Sequence, residues 1–263
     1  MRLASFTAPD STIVRAGVVR EDHLYALADQ TSVLDCLRDP ARATGETGQR
    51  WALGDVTLLA PVRRPRAIFG IGLNYADHIA ETGGERPERP IVFMKLPTSA
   101  APPNAPVRCP SVVKRLDYEG ELAVVMGADG EVAGYAVADD VSARDLQRRE
   151  PQWTRAKGAD CFCPYGPWIT TADELPDPHE LRLRTWVNGE LRQDSSTSQL
   201  IFRVPELVAF ISETCTLEPG DLILTGTPSG VGMGMDPPSF LQPGDAVRIE
   251  IERLGAIEHT ITG

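Results

Sequence analysis

Short apolar runs broken by glycine and proline set the tightest limit on how this chain folds. LASF, TIVRAGVV, HLYALA, AIFGIG, IVFMK and GELAVVMG are all of strand length, and turn-forming residues separate them. The 23 glycines and 22 prolines suit strands and turns better than a helical bundle. With 263 residues, 42% of them hydrophobic, the chain can build one large core or one core with a small appendage. The expected class is mixed α/β and strand-dominated. It lacks the regular strand–helix alternation of a doubly wound nucleotide binder.

Residues 1–62 read as a small β-rich N-terminal unit with a short helix at residues 32–37. The segment LAPVRRPRAI, carrying Pro61 and Pro65, marks the passage into a main body at residues 63–263. There, Asn188-Gly189 between LRTWV and ELRQD is a hairpin signal. The clearest helix is VPELVAFISETC, with Leu207, Val208, Phe210 and Ile211 on one face and Pro219-Gly220 beyond its end.

A net charge of −11, with no stripe of Lys and Arg, gives no footprint for nucleic acid. No apolar run approaches the roughly 18 residues of a membrane span, and the N-terminus turns polar too soon for a signal peptide. Cys36, Cys109, Cys161, Cys163 and Cys215 form an odd set, read as free thiols in a reducing compartment, so the expected address is cytoplasmic. Two glycine patterns fail as phosphate loops. The first carries Tyr75 at its third glycine position, and the second, residues 226–232, has no lysine.

The informative segment is Asp117-Tyr118-Glu119-Gly120-Glu121, which leads into the apolar run LAVVM. Glu119 and Glu121 share one face of a strand, and like charges entering an apolar strand need a neutraliser. A hard divalent cation with oxygen ligands is the simplest one. A two-residue loop at Asp129-Gly130 sets Asp140 opposite Glu119, whereas a loop one residue longer sets Asp139 there instead. A solvated acidic edge strand is the competing reading. A second pair, His78 and Glu81, lies three apart on an expected helical turn, where a carboxylate orients an imidazole for proton transfer.

Taken in order, GIGLNYADHIAE, IVFMK, LDYEGELAVV, GYAVADDVSARDLQ, AKGADCFCPYGPW and LILTGTPSGVG make the chain resemble the fumarylacetoacetate hydrolase family over most of residues 63–263. The resemblance implies a mixed β roll, a homodimer, and metal ligands at Glu119, Glu121 and Asp140 holding Mg²⁺, with Mn²⁺ or Ca²⁺ as substitutes. It also implies His78 and Glu81 as the water-activating pair, Lys157 as a stabiliser of developing charge, and Arg144, Gln147 and Thr227 as substrate contacts. One departure is Gln199-Leu200-Ile201-Phe202 in place of the family's S-M-I-F, a change that keeps bulk and apolarity.

The implied activity is hydrolysis of a carbon–carbon bond in a small 2-oxo acid or acylpyruvate. Metal chelation makes an enolate a tolerable leaving group. Keto–enol isomerisation, tautomerisation or decarboxylation through the same enolate is the second choice. A metal-dependent binding relative without catalysis is the reading from another class, and the retained His78–Glu81 pair argues against it.

Overall fold

The computed structural model describes residues 1–263, the side chain of Thr82 excepted. The N-terminal strands β1 (Arg2–Thr7), β2 (Val14–Arg20) and β3 (His23–Leu27) are followed by helix α1 (Val33–Arg38) and strand β4 (Glu46–Ala52). Helix α1 starts where expected: Ser32 Oγ accepts from Asp35 N, and the Asp35 carboxylate accepts from Ser32 N in return.

The main body adds β5 (Ile68–Gly72), α2 (Ala76–Thr82), β6 (Ile91–Lys95), β7 (Gly120–Met126), β8 (Val132–Asp139), α3 (Arg144–Arg149), α4 (Thr154–Lys157) and β9 (Cys163–Thr171). The hairpin β10 (Arg182–Val187) and β11 (Glu190–Ser196), helix α5 (Val204–Ser212), and strands β12 (Leu222–Leu224), β13 (Ala246–Ile251) and β14 (Gly255–Thr262) complete the elements used below. Asn188 and Gly189 both take positive φ, 52° and 80°, as a tight hairpin of this kind requires.

One large sheet runs β4-β3-β2-β1-β9-β8-β7-β12-β5-β6, so the N-terminal strands join the main body by direct β1–β9 pairing. All pairs along this path are antiparallel except β12 with β5, which makes the sheet mixed. A second sheet, β11-β10-β13-β14, packs across β7, β8 and β9.

Strand β7 is buried along its whole length, which explains the unbroken apolar run LAVVM. Its residues Leu122, Val124 and Met126 join Leu183, Ile249 and Ile257 in the core between the sheets. Ala123 and Val125 face the other way, into a cluster shared with α1 through Val33, Cys36 and Leu37. Glu119 and Glu121 share the parity of this second face.

The β7–β8 register matches a two-residue loop. Gly120 pairs with Asp139 and Leu122 with Val137, while Asp129 and Gly130 take φ of 56° and 74°. An irregularity beside Met126 is absorbed before the loop without disturbing the pairs near the site. All five cysteines are free, and Cys36 and Cys163 are buried.

Gly120 carries a steric demand that the motif alone does not reveal. A Cβ there would lie 2.5 Å from Thr185 Oγ1, 3.0 Å from Gln193 Oε1 and 3.1 Å from Ile249 Cγ2, all atoms of the second sheet or its hairpin. Gly120→Ala is therefore expected to cost about 1–3 kcal/mol by overpacking, read as a lower urea midpoint at unchanged slope.

Candidate active site

The strand pairing brings the three predicted carboxylates together. Asp140 N donates to Glu119 O at 2.9 Å, which continues the β7–β8 ladder by one step. One carboxylate oxygen from each of Glu119, Glu121 and Asp140 lies within 4.8 Å of the others, and all three side chains are buried. The acidic edge strand open to water is thereby excluded.

Burying three carboxylates requires compensation, because an unpaired charge in a low-dielectric interior is costly. Lys157, at the end of α4, donates to Glu119 Oε2 at 2.6 Å and to Asp140 Oδ2 at 2.8 Å. Lys95, the last residue of β6, donates to Asp140 Oδ1 at 2.5 Å and to the backbone oxygen of Lys157. Arg144 opens α3 and spans Asp117 Oδ2 at 2.8 Å and Glu119 Oε1 at 2.6 Å. Its Nη1 also donates to Gln147 Oε1 at 3.0 Å.

These contacts set the protonation of the group. Burial alone would raise the Glu119 carboxyl, but Lys157 and Arg144 outweigh it and hold it at about 2. Glu121 goes the other way, well above the usual carboxylate range, through burial and then the nearby Asp140 and Glu119. It makes no ion pair among the described residues, and its Oε2 accepts from Gly226 N at 2.7 Å. Burial opposes the charge on Lys157, yet Asp140 and Glu119 raise its pKa above the ordinary lysine value. The donor set is all carboxylate oxygen, and its spacing suits the roughly 2.0–2.6 Å bonds of a hard divalent cation. Three carboxylates therefore form a buried group able to hold such an ion.

The loop at residues 226–233 fastens the site from a third side. Gly226, with φ of 101°, adopts a backbone that a Cβ would strain, and that conformation aims its N–H at Glu121. Gly230 N donates to Glu81 Oε1 at 2.8 Å, and Gly232 N and Met233 N donate to Asp117. Glu81 Oε2 in turn sits 3.3 Å from His78 Nδ1 on α2. Asp77 holds the start of that helix by accepting from His78 N and Ser195 Oγ.

A cavity of about 290 Å³ is lined by His78, Glu119, Glu121, Arg144, Gln147, Lys157 and Thr227, with Phe93 and Trp153 on an aromatic wall. Its lining contains neither Asp140 nor Glu81. Thr227 Oγ1 is engaged within the fold, donating to Gly120 O at 3.0 Å and accepting from Gln193 Nε2 at 2.8 Å.

Sequence reasoning missed the supporting parts played by Lys95, Asp117 and His259. Lys95 was signalled only as a charge ending the apolar strand IVFMK, and it is 1% exposed. Asp117 was passed over beside the two glutamates, although it anchors Arg144. Asp139 accepts from Glu119 N at 2.9 Å and lies 3.1 Å from His259 Nε2 of β14, with both side chains fully buried. Nothing in the local sequence connects His259 to this site.

The model of the fumarylacetoacetate hydrolase C-terminal domain matches residues 67–262. The chain belongs to the fumarylacetoacetate hydrolase family. A second model, described as Rv2993c-like N-terminal, matches residues 1–61. Among curated relatives, the mitochondrial oxaloacetate tautomerase fahd2 of Xenopus laevis is 39% identical, over 99% of this chain and 90% of its own.

Among solved structures, the 5-carboxymethyl-2-hydroxymuconate delta-isomerase of Mycobacterium smegmatis is 38% identical, with a TM-score of 0.83, covering 100% of this chain and 99% of that one. The fumarylacetoacetate hydrolase of Exiguobacterium antarcticum is 36% identical, with a TM-score of 0.89 at the same coverage. Two of these three relatives are named for tautomerisation or isomerisation and the third for hydrolysis, so the names favour the second of the two activities expected from the sequence. No helix among the described residues is long and apolar enough to cross a membrane.

The buried lysine behind Asp140 gives a direct test of the charge balance. Lys95→Met is expected to lower the unfolding free energy of metal-free protein by about 3–5 kcal/mol, because it leaves a buried carboxylate short of a partner. Chemical denaturation measures the loss, and saturating Mg²⁺ should recover part of it.

Proposed function

We propose that this protein is a divalent-metal-dependent tautomerase or isomerase that moves a proton between carbon and oxygen in a small 2-oxo acid. The observation that carries this reading is a buried group of three carboxylates, two of which line one cavity together with an imidazole backed by a carboxylate. Glu119, Glu121 and Asp140 would hold the ion, with Mg²⁺ our choice and Mn²⁺ or Ca²⁺ as substitutes. When bound, such an ion polarises the 2-oxo group and so acidifies the neighbouring C–H.

His78 presents Nδ1 to Glu81, and its imidazole takes the proton and returns it on the other side of the keto–enol pair. Lys157 keeps Glu119 charged, bonds Asp140, and steadies negative charge that grows on the substrate oxygen. Arg144 Nη2 has no hydrogen bond within the protein, so this buried donor serves the substrate carboxylate, aided by the amide N–H groups of Gln147. Thr227 shapes the cavity wall and steadies the Gly120 carbonyl. No covalent bond between heavy atoms breaks in this reaction, which matches the tautomerase and isomerase names of the relatives.

The test is to dilute enol oxaloacetate into metal-depleted protein, add Mg²⁺, and follow the enol absorbance with products identified by NMR. Acceleration that EDTA abolishes is expected. Glu119→Ala and Asp140→Ala should remove both turnover and calorimetric metal uptake. His78→Ala should cut turnover by about 10²–10⁴-fold while leaving metal uptake in place. Cleavage of acylpyruvates without any effect on the oxaloacetate enol would restore the hydrolase reading.

We further propose a homodimer. Strand β6 lies at the edge of the large sheet, and the alternating Val92, Met94 and Leu96 are 38%, 38% and 47% exposed there, an apolar row that a second copy would cover. Light scattering on the eluted protein should give twice the chain mass, and Met94→Lys should shift it toward the monomer.

A further inference from the structure

The cations of the cavity are largely committed to the protein's own carboxylates. Lys157 serves Glu119 and Asp140, and Arg144 serves Asp117 and Glu119. Arg148 differs. It lines the same cavity, is exposed, and its side chain makes no ion pair or hydrogen bond among the described residues. Its neighbour Arg149 is equally exposed but does not line the cavity.

On α3, Arg148 stands four residues beyond Arg144, which places the two on one helix face with Cβ atoms about 5–6 Å apart. One guanidinium is therefore packed against the Glu119 carboxylate, and the next waits one turn farther out. The same cavity has an apolar wall that includes Ile71, Met233 and the edge-packed rings of Phe93 and Trp153, 5.4 Å between centroids. A short carbon chain suits such a wall. The cavity volume of about 290 Å³ lies at the small end of ligand sites, which run roughly 300–1,000 Å³.

We propose that Arg148 is the anchor for a second, distal carboxylate, so that the site selects small 2-oxo dicarboxylates over 2-oxo monocarboxylates of equal length. The inference rests on the reading that this cavity binds a 2-oxo acid. Its electrostatic basis is simple. A dianion entering beside Glu119 and Glu121 meets repulsion at one end, and an uncommitted guanidinium at the other end offsets it. The planar fork of Arg148 can take both oxygens of a carboxylate at once. Being exposed, it meets the incoming anion without first breaking an internal ion pair.

The experiment compares wild type, Arg148→Met and Arg148→Lys, each loaded with Mg²⁺, by calorimetric titration with oxaloacetate and with 2-oxobutanoate. The second ligand carries a methyl group where the first carries its distal carboxylate. Arg148→Met should weaken oxaloacetate by roughly ten- to hundredfold, the loss of one charge-assisted contact, and leave 2-oxobutanoate unchanged. Arg148→Lys should keep part of the preference. Equal losses for both ligands, or none for oxaloacetate, would overturn the anchor. If wild type prefers oxaloacetate through Arg148 yet does not interconvert its tautomers, the anchor stands and the reaction assigned above fails. Failure of wild type to bind either ligand overturns the anchor together with the 2-oxo acid reading.

Discussion

Everything around the site follows from placing Glu119, Glu121 and Asp140 inside the protein. A carboxylate in the interior is tolerated only with opposite charge or hydrogen-bond donors at contact distance. The structure supplies Lys157 and Lys95 from one side, Arg144 from another and the Gly226 amide from a third. That supply is uneven. Glu119 receives two cations and stays charged, whereas Glu121 receives only a backbone amide and is pushed toward its neutral form. The imbalance leaves one carboxylate ready for a further positive charge, as a metal centre needs.

Rigidity in the site comes from elements far apart in sequence. The loop at residues 226–233 bonds to Glu121, Glu81 and Asp117, so one segment orients a carboxylate of the acidic group, the partner of His78 and the partner of Arg144. Asp139 and His259 close the rear, between the large sheet and the second sheet. A relative shift of the sheets would move Glu119 through its own amide, which Asp139 holds. Gly120 permits this closeness, since its missing side chain lets β7 approach Thr185 and Gln193.

Much of this was legible in one dimension, where the controlling forces are local. Strand lengths, the Asn188-Gly189 hairpin and the Ser32 cap depend on backbone preferences of a few consecutive residues. The facing of Glu119 and Asp140 was one of two registers the local sequence left open; the pairs Gly120–Asp139 and Leu122–Val137 select it, although the ladder slips by one residue beside Met126. Lys95 and Arg148 were less legible. Lys95 ends an edge strand, and only the fold reveals that its ammonium turns inward to Asp140. Arg148 follows Arg144 and Gln147 as one more charge in a basic run, and only the cavity separates it from Arg149.

The order of residues, by itself, determined which strands form, that two glutamates share a face, that His78 and Glu81 are neighbours on a helical turn, and which family the chain resembles. These rest on periodicity and turn chemistry over short separations. Tertiary structure alone decided that Lys157 and Arg144 are spent on internal carboxylates, that Thr227 is bonded within the fold, and that His259 stands behind Glu119. Contacts between residues tens to over a hundred positions apart depend on how whole sheets pack, and no local pattern records that packing.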